Sequence, residues 1–236
     1  MNINGKKAIV FGGTSGIGLS ATNMLSEKGA IVIAVSRNPE KLKNLPKNVT
    51  TKKLDITNKD SVEKFFQEMG EYDILVNSAT GGARAVGPFL SMDLDGYKAS
   101  FDKLWGYTNV VRYGTQFLKD DGNIVLVSGS PARKCRPGQI AISSVGGAVE
   151  AFARGIAPEI APKRINIVAP GIIDTPMSPL EGTAREEFYQ NTTNSNLIPR
   201  AGTPDEVAKG IICGFGIEGY IMALDAMKKK LINENR

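Results

Sequence analysis

The sequence predicts an α/β protein, a single doubly wound, Rossmann-type domain whose parallel sheet has six to seven strands with helices on both faces. Three observations carry this. Short apolar runs alternate with helical patterns along the chain. A glycine-rich turn joins the first run to the first helical pattern. The 236 residues suit one domain with a substantial core and are too few for two comfortable ones.

The expected strands are Lys7–Phe11, Ile31–Val35, Val49–Lys53, Ile74–Val76, Asn123–Val127 and Ile165–Val168, with a weaker seventh at Tyr220–Leu224. Helical spacing covers Gly18–Lys28, Pro39–Leu42, Lys59–Gly70, Leu94–Leu118, Ser143–Ile160 and Pro204–Cys213. The segment from Ile172 to Pro199 is rich in Thr, Asn, Pro and Glu and reads as a long loop. Loops of that length in a compact domain are commonly binding lids, so a substrate lid is expected there. No internal repeat or linker divides the chain.

Composition narrows the function. Apolar content of 42% and charged content of 22% are ordinary for a globular protein. No apolar run reads as long enough to span a bilayer, and Met1–Lys7 does not read as a signal peptide. Two cysteines, Cys135 and Cys213, make no disulfide framework, so the expected location is the cytoplasm and the sequons at Asn48 and Asn191 carry no meaning. The net charge of +5 is scattered apart from Lys228–Lys230, which reads as a solvated helix end; neither a nucleic-acid nor a membrane partner is expected. The absence of histidine removes the commonest general base, and no Cys or carboxylate cluster has metal-ligand spacing.

The residues themselves point to a dinucleotide. Gly12, Thr14, Ser15, Gly16, Ile17 and Gly18 lie between a strand and a helix, where backbone N–H groups approach a pyrophosphate at the positive end of the helix. Ser36 and Arg37 follow the second strand, where a carboxylate would bind a ribose 2′-hydroxyl; a guanidinium there suits a 2′-phosphate instead. The cofactor expected is therefore NADP(H), against the alternative that Arg37 is a surface residue beginning a helix. Asp55 ends the third strand and either accepts a bond from an adenine amine or caps the next helix.

These motifs, in this order, resemble the short-chain dehydrogenase/reductase family from Val10 to about Val207. Gly12-x-x-x-Gly16-Ile17-Gly18 resembles its TGxxxGIG turn, with Phe11 where threonine is usual. Asp55-Ile56 resembles its adenine-contacting pair, and Asn77-Ser78-Ala79-Thr80 a degenerate NNAG motif. Pro170-Gly171-Ile172-Ile173-Asp174-Thr175-Pro176-Met177 resembles its PG…T.M segment, which implies contacts from Ile173 and Thr175 to the nicotinamide half. Arg200 to Val207 resembles its R.G.PeEvA helix start. Family members are commonly oligomers, so a dimer or tetramer acting on a small molecule is implied.

The same resemblance exposes departures. The family's catalytic Tyr falls on Ile142 and its Lys on Gly146, aligned through Gly146-Gly147-Ala148-Val149-Glu150-Ala151. Its Ser falls on Gly129, flanked by Ser128 and Ser130, and its helical Asn on Lys103. Isoleucine exchanges no proton, so the usual general-acid route is closed, and apolar open space is expected near Ile142 and Gly146. The candidate catalytic residues are then Lys103, as an acid of lowered pKa or as an anchor, and Ser128 and Ser130, as carbonyl-polarising groups. Against these stand an exposed lysine on an amphipathic helix and serines that merely satisfy strand-end backbone. Cys135, among Arg133, Lys134 and Arg136, reads more simply as a loop cysteine than as a thiolate, and Ser143 and Ser144 lack a base. Three functions remain: an NADP(H)-dependent oxidoreductase on a small carbonyl or alcohol, a non-redox isomerase, dehydratase or cyclase, and an inactive sensor or scaffold.

Overall fold

The alternating apolar runs become strands of one parallel sheet. The computed structural model describes residues 2–42, 45–80 and 84–214. Its strands are β1 (Lys7–Phe11), β2 (Ile31–Ser36), β3 (Val49–Lys53), β4 (Tyr72–Asn77), β5 (Leu118–Val127) and β6 (Arg164–Val168), in spatial order β3-β2-β1-β4-β5-β6. Every described pairing is parallel, as a strand–helix–strand chain requires. The expected strand at Tyr220–Leu224 and the Lys228–Lys230 cluster lie outside the described residues.

Alternation along the strands sorts the core into two layers. Ile9 and Phe11 of β1 face one side with Ile33, Leu75 and Ile124, beneath α2 (Lys59–Met69), α4 (Asp102–Gly114) and α5 (Ile140–Ile160). Ala8 and Val10 face the other side with Val32, Ile74 and Val125, against α1 (Gly16–Glu27) and α7 (Pro204–Cys213). The chain runs outward from β1 through β2 to β3, then crosses to β4 on the other side of β1. Phe11 and Asn77, the last residues of β1 and β4, are register partners, so the switch point opens between their carboxyl ends.

Three helical expectations are corrected. Leu94–Leu118 is two helices, α3 (Leu94–Ala99) and α4, followed by a strand. Ser100 makes the break: its hydroxyl donates to the Gly96 carbonyl at 2.8 Å and accepts from the Ala85 N–H at 3.0 Å. At the other end Tyr72 donates to the Gly114 carbonyl at 2.9 Å, and Leu118 pairs with Tyr72 in the sheet. Pro39–Lys41 is only a single turn of 3₁₀-helix. The expected loop between Ile172 and Pro199 contains α6 (Gly182–Thr193), which buries only Thr193 and so lacks the apolar stripe that marks a helix in sequence.

A fourth correction concerns apolar length. α5 spans 21 residues with a mean hydropathy of 1.3 in its most apolar window, enough by length and composition to cross a bilayer. The fold uses it otherwise: Ala141, Val145, Val149 and Ala153 are buried at spacings of four, the face that packs on the sheet.

Candidate active site

The switch point opens into a cleft of about 1190 Å³. Its floor begins with the turn after β1. Gly12 holds φ +75°, and a Cβ there would lie 2.8 Å from the Ala79 nitrogen. At Gly18 a Cβ would lie 2.0 Å from the Gly12 carbonyl oxygen, so only glycine lets turn and helix close this tightly. Ser78 ties the turn to β4, its amide and hydroxyl both donating to the Phe11 carbonyl at 2.9 and 3.0 Å. Phe11 itself is buried and packs edge-on against Phe65 at 5.7 Å, which explains why an aromatic is tolerated in the turn. Ser15 leaves the start of α1 without a side-chain cap, and the first turn has no acid. The N–H groups of Gly16, Ile17 and Gly18 therefore meet the cleft at the positive end of the helix.

The adenosine end is equally specific. Ser36 ends β2 with a buried hydroxyl that has no hydrogen-bond partner. Arg37 beside it is exposed, lines the cleft and forms no ion pair among the described residues. Asp55 holds a short turn, one carboxylate oxygen accepting from the Thr57 amide at 2.9 Å and hydroxyl at 2.8 Å, while Ile56 is buried against Gly106. An orphaned hydroxyl beside a free guanidinium, a turn that a Cβ would block and an uncapped helix start together fit a dinucleotide with a 2′-phosphate. Thr14, Ala79, Pro170, Gly171, Ile173 and Thr175 also line the cleft. Asn77 does not: it is buried behind the wall, its Oδ1 accepting from the Ala79 amide at 3.2 Å.

Lys103 enters from α4 and is partly buried. Its amine is 3.4 Å from the Ser128 carbonyl and 5.3 Å from the centre of the Tyr107 ring. Burial, with the positive charge of Arg84 added, pulls its pKa from 10.5 down to about 8. Ser128 is buried and spends its proton on the Gly146 carbonyl at 3.2 Å. Ser130 donates its amide to Pro170 at 2.8 Å and keeps its hydroxyl at the cleft wall.

Ile142 and Gly146 both line the cleft. The space at Gly146 is nonetheless tighter than the sequence suggests. A Cβ there would meet the Ala132 Cβ at 3.0 Å and the Ser128 hydroxyl at 3.3 Å.

Several residues of the wall and its lid went unread in the sequence. Arg84 follows β4 and reaches the Met177 sulfur. Arg136 donates both terminal nitrogens to the Thr192 carbonyl of α6 at 3.1 Å, bridging the β5–α5 loop to the lid. Arg185 of α6 pairs with Asp174 and donates to the carbonyls of Thr175 at 2.7 Å and Leu180 at 2.9 Å, pinning the lid's first strand of loop. Tyr189 also reaches the cleft, with Arg185 lying 5.5 Å over its ring. The signal of Arg84 and Arg136 was faint because each acts across elements distant in sequence, and that of Arg185 because its helix was read as loop; only the run of cations at Lys134 and Arg136 was visible locally.

The comparisons agree with this geometry. A family model described as enoyl-(acyl carrier protein) reductase matches residues 12–213. The chain is 32% identical to a 3-oxoacyl-acyl-carrier-protein reductase of Thermotoga maritima over 231 residues, covering 90% of this chain and 91% of that one. It is 29% identical to carbonyl reductase family member 4 of Danio rerio, covering 87% and 89%. Among solved structures, a small-chain dehydrogenase in complex with NADPH superposes with a TM-score of 0.79 at 27% identity, covering 90% and 91%. A short chain dehydrogenase of Burkholderia cenocepacia in complex with NADP gives 0.76 at 25% identity, covering 99% and 98%. With its switch-point cleft, its glycine turn and these relatives, the chain belongs to the short-chain dehydrogenase/reductase family of oxidoreductases.

Proposed function

We propose that this protein is an NADP(H)-dependent oxidoreductase that interconverts a small carbonyl compound and its alcohol, with the Lys103 amine in place of the missing tyrosine. One observation carries the reading. Lys103 holds a proton-exchanging group at the cleft, against the Ser128 carbonyl, close to where Ile142 and Gly146 have removed the usual pair. NADP(H) is favoured by the orphaned Ser36 hydroxyl beside unpaired Arg37, and the NADPH and NADP bound by two solved relatives are consistent with it.

In this mechanism the amides at the start of α1 would hold the pyrophosphate, and Ser36 with Arg37 would hold the 2′-phosphate. The free oxygen of Asp55 would accept a hydrogen bond from the adenine amine. When bound, the nicotinamide supplies or accepts the hydride. Ser130, whose hydroxyl is uncommitted, polarises the substrate carbonyl; Ser128 is the weaker candidate because its proton is spent on Gly146. The protonated Lys103 amine delivers its proton to the substrate oxygen as the hydride arrives. Carbonyl reduction therefore falls as pH rises through about 8, where the amine loses that proton.

A second reading, binding without redox turnover, is favoured by the same Ile142 and Gly146. The two are separated by following NADPH oxidation with a panel of carbonyl compounds while titrating NADPH in parallel. Oxidation that is lost in Lys103→Met, with binding retained, supports the oxidoreductase. Loss in Tyr189→Phe and not in Lys103→Met would move the acid to the lid. We further infer a homo-oligomer. Only a third of the most apolar window of α5 is buried within one chain, and Trp105 of α4 is 63% exposed, so a second copy has apolar surface to cover.

A further inference from the structure

We propose that the substrate half of the cleft is built for an anion, so that the carbonyl or alcohol substrate carries a carboxylate or phosphate held by Arg84 and Arg136. The inference rests on the oxidoreductase reading and narrows it to acidic substrates.

The charges lining the cleft are lopsided. Among the described residues they are Arg37, Arg84, Lys103, Lys134 and Arg136 against a single carboxylate, Asp55. Asp55 and Arg37 follow β3 and β2, at the adenosine end, and Asp55 is engaged with Thr57. The other four cations belong to the remaining half, with no acid among its described lining residues.

The partners of these cations are neutral. Arg84 reaches a thioether, a weak acceptor, and Lys103 a backbone carbonyl at 3.4 Å. Arg136 aims both ends of its fork at one carbonyl oxygen, which leaves most of its donor capacity unused. Outside this half of the cleft three arginines have carboxylate partners: Arg133 with Glu150, Arg185 with Asp174 and Arg200 with Glu206. Arg133 and Arg136 share one loop, and only Arg133, which is not among the residues lining the cleft, has a carboxylate.

Like charges gathered in a cleft focus a positive potential and raise one another's free energy. The pKa of Lys103 is lowered first by burial, and the positive charge of Arg84 adds to that. The cofactor's phosphates would not relieve this repulsion, since the seats proposed for them are the glycine turn and Arg37. A substrate anion would, and the guanidinium fork matches a carboxylate or a phosphate bidentately. Because Arg136 is bonded to α6 and Arg84 to Met177, an anion between them would also link the lid to the β4 loop.

The test measures binding rather than turnover. The NADP⁺-loaded protein is titrated calorimetrically with two matched pairs: acetoacetate against methyl acetoacetate, and dihydroxyacetone phosphate against dihydroxyacetone. The anionic member of at least one pair should bind about tenfold or more tighter than its neutral partner, the size of a charge-assisted contact. The pair that shows it tells a carboxylate site from a phosphate site. Arg84→Met and Arg136→Met should each erase most of that preference while the affinity for NADP⁺, which doubles as the folding control, is unchanged; Arg84→Lys should retain part of it. Equal binding of charged and neutral members, no binding by either anion, or a preference that survives both substitutions would overturn the proposal. Failure of hydride transfer would sink the oxidoreductase reading instead and leave these binding results intact.

Discussion

Replacing Lys103 by methionine should make the protein more stable while it destroys the proposed catalysis. At neutral pH the folded chain holds an ammonium whose pKa has fallen from 10.5 to about 8. A drop of that size corresponds to about 3 kcal/mol of folding free energy lost while the group is charged. Methionine has nearly the same length and fills the same space without a charge. It forfeits the cation–π contact with Tyr107 and the long bond to Ser128, together about 1 kcal/mol. The net gain at pH 7 is then about 2 kcal/mol, or roughly 4–8 °C in Tm for a chain of this size. Its pH dependence has a fixed sign. Between pH 8 and 10.5 the unfolded chain binds more protons than the folded one, so wild-type stability rises with pH and the variant's advantage vanishes. Urea denaturation of both proteins at pH 7 and near pH 10 provides the measurement. A variant that is less stable than wild type at pH 7, or an advantage that does not shrink with pH, would refute the claim that this lysine is held against its preference.

Arg37→Asp should lower the preference for NADPH over NADH by at least tenfold, since a contact of about 1.5–3 kcal/mol becomes a repulsion; fluorescence titration with both cofactors reads it. Gly18→Ala should abolish binding of either dinucleotide and lower Tm, because its Cβ would lie 2.0 Å from the Gly12 carbonyl oxygen; retained binding would mean the turn is looser than described. Gly146→Lys should destabilise the protein, since the Cβ meets Ala132 and Ser128 at 3.0 and 3.3 Å, and Ala132→Gly should restore part of the loss in a thermal melt. Arg185→Ala should raise KM more than it lowers kcat, because it frees Asp174 and the carbonyls of Thr175 and Leu180 from the lid helix.

What the sequence made legible was local. The strand, glycine turn and helix from Lys7 to Glu27 form one contiguous unit, and its residues sit together at the cleft. The alternation of apolar runs sufficed for the sheet: the central strands β1 and β4 are buried on both faces and read as short apolar blocks, while the edge strand β3 buries only Val49. α6 was hidden because it buries almost nothing, and the α3–α4 break because a single serine hydroxyl makes it. The membrane-length apolarity of α5 was not legible because its isoleucines, valines and alanines are interrupted by Ser, Gly, Glu, Arg and Pro and form no continuous apolar run. Within the cleft, Lys103 was reachable only through the family alignment. Arg84, Arg136 and Arg185 were not, since their partners Met177, Thr192 and Asp174 are 93, 56 and 11 residues away in the chain.

The central claim is that hydride transfer survives here without the tyrosine and lysine, using the Lys103 amine. It is tested most directly by supplying NADPH deuterated at the transferable position, together with carbonyl compounds that include acetoacetate and dihydroxyacetone phosphate, and following deuterium by mass spectrometry. The account predicts deuterium in the product alcohol with wild-type protein, a rate that falls as pH rises through about 8, and no transfer with Lys103→Met despite intact NADPH binding. Tight NADPH binding by the wild-type protein with no deuterium transferred to any of them, or transfer undiminished in Lys103→Met, would contradict it.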